Sequence, residues 1–372
     1  MKDKNAFKTP IVIGVIFWLV VTFVVIWGAT DEPKLNFSTN YQDYYPDPEG
    51  AEESHALIRE LTEIQISPYI HSSIRSRESK VRQEAAATRN EGKGFDPYKI
   101  QDLSFEGKLE YLKEHSKEIR HNRDQLQEAE RIITELEAFD LIGGAPSDFP
   151  FSSGFNYGNL RTYAKSLAWN SILDANNDSA DQALLKLHNY ADLAERAKPC
   201  ARSLIEQLSW TAVSFICLST AKDIVENYDV SEDTLREGII KIQIRVEPLE
   251  LLRRTFIQEK IFFSNTISLL PKTRIAGYPT LLENQTANQL STHLDELYQL
   301  AESGKFSQIE LEIKSFLDGN SGFQIKNWGG SQATINAYPN VIQFFSMFSK
   351  NERLILEYQE LLRKKLKSKQ LE

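Results

Sequence analysis

The chain has 372 residues and is poor in sulfur, with only two cysteines and two methionines. Cys200 and Cys217 are separated along a helix-patterned stretch, and on one helix they would lie about 25 Å apart, too far for a disulfide. Neither belongs to a CxxC pair or a Cys/His cluster, which argues against a structural zinc site. We therefore expect both cysteines to be small, buried, apolar residues.

Sequence motifs for catalysis are also lacking. The six histidines form no HExxH pair, and the chain has no GxSxG elbow and no phosphate-binding glycine loop. Carboxylate pairs such as Glu52/Glu53 and Asp295/Glu296 occur on amphipathic helical segments, where they are normally solvated. The sequence therefore predicts no catalytic residue, no cofactor and no metal site, and it favours a non-enzymatic role.

Positive charge is in deficit over most of the chain. The sequence has 43 basic and 52 acidic residues. Three of the lysines and one aspartate lie before residue 10, so residues 10–372 contain 40 basic and 51 acidic residues. Nucleic-acid binding depends on positive charge that displaces counterions. Residues 10–372 are therefore not expected to bind nucleic acid.

Long hydrophobic runs are limited to one. Pro10 to Ala29 (PIVIGVIFWLVVTFVVIWGA) has no charged residue, and a helix of this length covers the roughly 30 Å core of a bilayer. Signal peptides have shorter apolar cores and a small residue three positions before the cleavage site, where Trp27 would stand here. Trp18 lies in mid-span, and Trp27 lies where an interfacial indole is favourable. We therefore expect an uncleaved anchor rather than a cleaved signal.

The charges on either side of this run predict its orientation. Lys2, Lys4 and Lys8 precede it, and Asp31 and Glu32 follow it. The positive-inside rule then places the N-terminus in the cytoplasm. The bulk of the chain is expected to be extracytoplasmic, in a single-pass protein of a bacterial envelope.

The rest of the chain is patterned as helices. Between 207 and 221 it is again uncharged, but this stretch is too short to span a bilayer and is typical of a central buried helix. We expect an all-α protein: one N-terminal transmembrane helix, then an ectodomain of packed antiparallel helical hairpins resembling an irregular α-solenoid. The predicted segments are a cytoplasmic tail at 1–9, the transmembrane helix at 10–29, a linker at 30–47, N-terminal helices at 48–141 and a helical-hairpin domain at 142–372.

One long helix is predicted over 105–139. Leu112, Ile119, Leu126 and Ile133 recur every seven residues and form a narrow apolar stripe. The second set of seam positions (His115, Asn122, Ala129 and Leu136) is weak for a coiled coil. This pattern favours a helix that lies along the body of the protein, with self-association through 105–139 as the alternative.

Two irregular segments interrupt the helical pattern, at 142–159 and 318–340. Both are rich in glycine and aromatic residues, and loops of this length are often functional. If the fold brings the segments together, their aromatic side chains would line a binding groove. The candidate groove residues are Phe151, Phe155, Tyr157, Trp328 and Tyr338.

Helix start signals repeat along the hairpin region. Ser179 and Ser231 are candidate caps, and Pro199 and Pro248 are candidate first-turn residues, at intervals of about 50 residues. Such spacing is typical of helical-hairpin arrays.

The stretch 297–317 (LYQLAESGKFSQIELEIKSFL) resembles a tetratricopeptide-type hairpin. Gly304 stands at the turn, and Leu300, Ile313 and Phe316 are available for packing. Leu297 and Ile309 depart from that family's pattern, which prefers small residues there. At the level of architecture the resemblance implies a protein-binding scaffold.

Two functions are consistent with these patterns. The first is a membrane-anchored helical scaffold or binding subunit of an envelope complex, whose partners are the bilayer, through 10–29, and one or more proteins. The alternative is a membrane-tethered hydrolase with a divergent site of carboxylates and His188 or His293. Convergence of such groups in one cleft would favour the hydrolase.

Overall fold

The structure is a computed structural model that describes residues 47–64, 95–97, 99–143, 156–201, 203–269, 274–275, 278–279, 283–321 and 328–371. The predicted transmembrane helix at 10–29, with Pro10, Trp18 and Trp27, lies outside the described residues, as do Phe151 and Phe155. The regular secondary structure of the described residues is helical, apart from one pair of two-residue strands. The predicted all-α class is therefore confirmed.

The described part of the chain forms twelve α-helices. The first nine are α1 (Ala51–Glu63), α2 (Phe105–Glu114), α3 (Ser116–Arg120), α4 (Arg123–Leu136), α5 (Tyr157–Ala175), α6 (Ala180–Ala197), α7 (Leu204–Asn227), α8 (Glu232–Lys241) and α9 (Pro248–Leu269). The last three are α10 (Glu283–Glu302), α11 (Phe306–Ser321) and α12 (Trp328–Lys369). Short 3-10 turns occupy Lys99–Asp102 and Lys198–Cys200, and β1 (Arg274–Ile275) pairs antiparallel with β2 (Tyr278–Pro279).

The chain divides into two compact units. The larger comprises residues 45–255 with 343–372, and the smaller includes 256–342. The division therefore falls within α9 and within α12. The boundary predicted at 141/142 lies inside the larger unit, where the backbone N–H of Ile142 donates to the carbonyl of Arg196 at 3.2 Å.

The core of the larger unit lies between α5, α6 and α7, which pack against one another. Alanines on α6 and α7 allow close approach of the helices, and larger side chains such as Tyr190, Trp210 and Val213 fill the remaining space. Burial of a Leu- or Val-sized side chain stabilises the fold by about 1.5–3 kcal/mol. These three helices form the rigid frame on which the polar residues described below are held.

Helix α7 contains the second uncharged stretch of the sequence. It begins at Leu204, where Ser203 Oγ accepts a hydrogen bond from the Glu206 N–H at 3.1 Å. Among the described residues it is the helix that is long and apolar enough to cross a membrane, but most of its surface is buried by the rest of the protein. It is the central buried helix that the sequence predicts.

The prediction of one continuous helix over 105–139 is wrong, because the chain forms three helices there, α2, α3 and α4. The breaks fall at His115 and at His121–Asn122. The His115 ring packs against Tyr111 and Phe95, so contacts outside the helix override the continuous pattern. Both sets of seam positions are buried within this chain: Leu112, Ile119, Leu126, Ile133, His115, Asn122, Ala129 and Leu136.

Two of the four helix start signals predicted for the hairpin region are confirmed. Ser231 caps α8 by accepting a hydrogen bond from the Thr234 N–H at 3.3 Å, and Pro248 begins α9, as predicted. By contrast, the Ser179 side chain does not cap α6, and Pro199 lies in a 3-10 turn. Helices α10 and α11 form the hairpin expected at 297–317. Its turn is at Gly304, where φ is +73°, a conformation that glycine adopts without steric cost.

The prediction of an irregular segment over 318–340 is also wrong for most of these residues. Helix α11 extends to Ser321, and α12 begins at Trp328 and continues through Pro339. Glycine and proline lower helix propensity, but propensity is a weak prior that tertiary context overrides.

Candidate functional site

The C-terminal turn of α6 and the 3-10 turn that follows it contain three buried charged side chains. Glu195, Arg196 and Lys198 are each no more than 5% exposed. Charged side chains are almost never buried to this extent without partners. Glu195 and Arg196 lie in the last turn of α6, and Lys198 begins the 3-10 turn that follows.

Glu195 lies at the centre of one buried polar network. Its Oε1 accepts from Ser214 Oγ of α7 at 2.6 Å, from the Lys198 ammonium, and from Asn351 Nδ2 of α12 at 3.5 Å. One carboxylate oxygen thus joins α6, α7, α12 and the 3-10 turn. Such a network rigidifies a site when its members are satisfied.

Arg196 and Asp192 form a second network beside it. Asp192 accepts from Arg196 Nε at 2.9 Å and from Arg245 Nη2 at 2.6 Å. Arg196 Nη1 also donates to the backbone carbonyls of Leu136, at 2.7 Å, and Phe139. This network attaches the end of α4 and the segment between α8 and α9 to the end of α6.

A cleft opens between these networks and α12. Its free volume is about 20 Å³, which is room for one atom group the size of a water molecule. Its lining combines charged and polar side chains with apolar ones. The lining residues are Glu195, Lys198, Pro199, Ile244, Arg245, Val246, Leu251, Phe348, Asn351, Glu352 and Ile355.

Asn351 presents an unused acceptor at this cleft. Its side chain is 1% exposed, and none of the residues that the structure describes donates to its Oδ1, whereas Nδ2 donates to Glu195. A buried acceptor without a donor costs about 1–3 kcal/mol. Asn351 therefore keeps a buried, unsatisfied acceptor in a residue that lines the cleft.

Glu352 is a residue of the cleft lining whose carboxyl pKa is shifted. Burial raises its pKa to about 7, Glu195 and Glu247 act in the same direction, and Lys198 opposes them. A carboxyl group with this pKa is half ionised near neutral pH. Perturbed carboxyls of this kind cluster at functional sites.

Exposed apolar side chains flank the same cleft. Ile244 lines it and is 36% exposed, and Leu356, 58% exposed, follows Glu352 by one helical turn on α12. These two side chains add exposed apolar surface next to the cleft. We call this surface, with the cleft, the α6–α12 cleft.

A second group of polar residues lies in the smaller unit. One ligand atom each from His293, Glu296 and Glu312 lies within 4.8 Å of the other two. The His293 ring stacks on Phe316 with centroids 3.9 Å apart, and Nδ1 lies 3.3 Å from Glu296 Oε2. Burial lowers the pKa of His293, although both carboxylates oppose the shift.

His188, the other histidine considered from the sequence, is a core residue. It is fully buried, its Nε2 lies 2.7 Å from the Tyr358 hydroxyl, and burial lowers its pKa to about 3. Gly238 packs against the ring so closely that a Cβ there would lie 2.5 Å from Cε1. His188 therefore has no room for a substrate.

The two cysteines are buried and free, as the sequence predicts, but on different elements. Cys200 ends the 3-10 turn and Cys217 lies on α7. Burial raises the pKa of Cys200 to about 11 and raises that of Cys217 further. Both thiols are protonated at neutral pH and unreactive as nucleophiles.

The predicted aromatic groove stays a prediction. Tyr157 is the first residue of α5 and packs, partly buried, against the core of the larger unit. Trp328 and Tyr338 lie on α12, in the smaller unit. Phe151 and Phe155 lie outside the described residues.

Sequence reasoning missed the α6–α12 cleft. The available signal was the density of charge at Asp192, Glu195, Arg196 and Lys198 on a helix otherwise rich in alanine and leucine. The contributions of Ser214, Asn351 and Glu352 come from remote segments and gave no signal.

No known protein family, curated protein or solved structure matches the chain.

Proposed function

We propose that the protein is a single-pass, membrane-anchored helical scaffold that binds a protein partner on the extracytoplasmic side. Residues 10–29 would hold it in the bilayer with the N-terminus in the cytoplasm. The observation that carries the binding role is the α6–α12 cleft, where a buried polar floor is bordered by the exposed side chains of Ile244 and Leu356.

The form of this site suits binding better than catalysis of a reaction on a large substrate. Its free volume of about 20 Å³ admits a terminal group of a partner and not a whole substrate. Its fixed polar groups lie on three packed helices, so little ordering would accompany association. Preorganised sites of this kind favour affinity because fewer side chains lose freedom on binding.

Crosslinking in the native membrane tests this function. The chain carrying Ile244→Asp and Leu356→Asp is expected to lose its crosslinked partner, whereas the wild type retains it. Leu311→Asp is the matched control, because Leu311 is also highly exposed but lies in the smaller unit. Equal crosslinking by all three proteins would contradict a partner site at the cleft.

A second candidate function, metal-assisted hydrolysis, is favoured by the convergence of His293, Glu296 and Glu312. One imidazole and two carboxylates are a suitable ligand set for zinc or a similar divalent ion, and three protein ligands leave a position for an activated water. The buried imidazole is neutral at pH 7, the form that binds metal.

Calorimetric titration of the full chain in detergent with Zn²⁺ tests this candidate. His293→Ala and Glu312→Gln are each expected to weaken Zn²⁺ binding at least tenfold, and the exposed His121→Ala variant is expected to bind as the wild type does. Zn²⁺ binding that is unchanged in His293→Ala would exclude this site.

A further inference from the structure

We propose that a pocket between α3 and the end of α5 binds a sugar that carries a phosphate group. The pocket has a free volume of about 540 Å³, within the range of about 300–1,000 Å³ that is usual for small-molecule sites. It shares no lining residue with the α6–α12 cleft, so this proposal does not rest on the binding function proposed above. We call it the α3–α5 pocket.

Two parts of the larger unit form the walls of the α3–α5 pocket. Lys113, in the last turn of α2, and Lys117 and Arg120, on α3, contribute one wall. The last turn of α5 and the two asparagines that follow it, Asn176 and Asn177, contribute the other, and α3 packs against α5. The helix breaks on either side of α3 therefore place basic residues of α2 and α3 opposite the end of α5.

The charged side chains of this lining are cationic. Lys113, Lys117 and Arg120 carry three positive charges, and no aspartate or glutamate is among the described residues that line the pocket. This concentration of positive charge lies in a chain whose formal net charge is −9. An anion that enters the pocket is therefore favoured electrostatically.

The acidic neighbours of the pocket offset this charge only in part. Asp174 Oδ1 lies 3.6 Å from Arg120 Nη2, which is beyond hydrogen-bonding distance, so it opposes one of the three cations. Glu118, also on α3, accepts a hydrogen bond from the Phe95 N–H at 3.0 Å and does not line the pocket.

The two lysines of the pocket have unused donors. Within the described residues, neither Lys113 nor Lys117 makes a hydrogen bond or an ion pair, whereas Lys108, on α2, pairs with Asp223 at 2.8 Å. Their position near the end of α5 would also suit capping of that helix. However, the carbonyl of Ile172 accepts from the backbone N–H of Asn176, and neither lysine donates to the end of α5. Capping therefore does not account for them.

A phosphate monoester matches three cations better than a carboxylate does. Near pH 7 it carries a charge of about −1.5 to −2 and three acceptor oxygens, whereas a carboxylate carries one charge. Arginine presents a planar fork to phosphate, and lysine acts as a point charge. Arg120, Lys113 and Lys117 together supply both kinds of donor.

The remaining lining residues favour a sugar as the carrier of the phosphate. Ser116, Asn176 and Asn177 offer hydroxyl and amide groups, which both donate and accept hydrogen bonds and so suit sugar hydroxyls. Besides the His121 imidazole, the described lining has no Phe, Tyr or Trp ring on which a nucleobase would stack. The pocket therefore suits a phosphorylated sugar better than a nucleotide.

Calorimetric titration of the full chain in nonionic detergent with glucose 6-phosphate tests the proposal. Glucose, which lacks the phosphate, is expected to bind about tenfold more weakly or worse, because the charge-assisted hydrogen bonds are lost. Inorganic phosphate, which lacks the hydroxyl groups, is expected to bind about threefold more weakly. Glucose that binds as tightly as glucose 6-phosphate would overturn the proposal.

A pair of double variants locates the site. Lys113→Gln with Lys117→Gln should weaken glucose 6-phosphate binding by about tenfold or more, because two of the three cations are lost. Lys350→Gln with Lys367→Gln removes the same charge from exposed positions on α12 and should bind as the wild type does. Thermal unfolding establishes that both double variants are folded. Equal binding by the two would refute the α3–α5 pocket as the site.

The same chemistry occurs in a soluble sugar phosphate and in a lipid with a phosphorylated sugar headgroup. Lipid A added to the micelles distinguishes these sources. If the headgroup is the ligand, lipid A weakens glucose 6-phosphate binding, and native mass spectrometry detects it on the wild type and not on the Lys113→Gln, Lys117→Gln variant. If the ligand is soluble, lipid A leaves the affinity for glucose 6-phosphate unchanged. A chain that binds neither glucose 6-phosphate nor lipid A would overturn the proposal.

Discussion

At the scale of single residues, the buried His188 makes the stability of the fold depend on pH. His188 is neutral in the folded protein because burial lowers its pKa to about 3, whereas an unfolded histidine has a pKa of about 6.5. Between these two values the unfolded chain binds one proton that the folded chain does not bind. The free energy of unfolding therefore falls as the pH falls through this window.

This linkage predicts a specific acid sensitivity. Wild-type protein is expected to lose about 1.4 kcal/mol of stability per pH unit, between pH 6.5 and about 3, relative to a His188→Gln variant that cannot titrate. Urea unfolding of both proteins at pH 7 and pH 4.5 measures the difference. Identical pH dependence in the two proteins would show that His188 has the same pKa in the folded and unfolded states.

The Glu195–Lys198 pair makes a second prediction at this scale. Lys198→Met removes the ammonium but leaves the buried Glu195 carboxylate with only Ser214 and Asn351 as donors. Breaking a buried ion pair on one side costs about 3–5 kcal/mol.

The matched control for this change is a lysine on α6. Lys186→Met removes a partly exposed ion pair with Glu130, which spans 2.8 Å, and exposed pairs contribute about 0–1 kcal/mol. Denaturant unfolding of both variants compares the two losses. Equal losses would mean that Glu195 is not buried as the structure shows.

At the scale of elements, the burial of both seam positions of α2–α4 argues that these helices stabilise the body of the chain. Ile133→Ala is expected to lower the free energy of unfolding by about 2–5 kcal/mol, because it leaves a cavity in the core. The adjacent exposed change Thr134→Ala should cost less than about 0.5 kcal/mol. A change in oligomeric state with Ile133→Ala, measured by light scattering, would instead support self-association through 105–139.

The docking of α1 depends on one glycine. Gly143 donates its N–H to Ser54 Oγ at 3.0 Å, and a Cβ at this position would lie 2.4 Å from the carbonyl oxygen of Ala51. Gly143→Ala must therefore displace backbone, and we expect the free energy of unfolding to fall by about 1–3 kcal/mol.

Gly107→Ala is the control for this substitution. Gly107 lies in the first turn of α2, and its added Cβ would be at least 3.4 Å from its nearest neighbours. Alanine is favoured over glycine in helices by about 0.8–1.0 kcal/mol, so this variant should be neutral or stabilised. Thermal unfolding distinguishes the two variants, and equal stability would contradict the close approach of Gly143 to α1.

At the scale of the whole molecule, the proposed topology depends on residues 10–29. The full chain is expected to remain in the membrane fraction after an alkaline carbonate wash, and a variant without residues 1–30 is expected to be released. Protease added on the extracytoplasmic side should degrade the portion after residue 47. A full chain that the wash releases would rule out a transmembrane anchor.

The all-α class, the central position of α7 and the turn at Gly304 could be predicted because each depends on local information. Hydrophobic period, uncharged stretches and glycine positions bias the backbone within a few residues. The breaks within 105–139 and the helix through Pro339 could not be predicted in this way. There, contacts between segments distant in sequence override propensities worth only fractions of a kcal/mol per residue.

The sequence by itself determined the hydrophobic run at 10–29, the acidic balance of the remaining chain and the helical character of its segments, because composition and periodicity are properties of neighbours along the chain. Only the tertiary structure decided that Glu195, Asn351 and Glu352 line one cleft and that Ser214 donates to Glu195. These residues come from three helices, and Asn351 lies 156 positions after Glu195 in the sequence. Their pairing reflects the cost of burying polar groups without partners, which acts between elements after they pack.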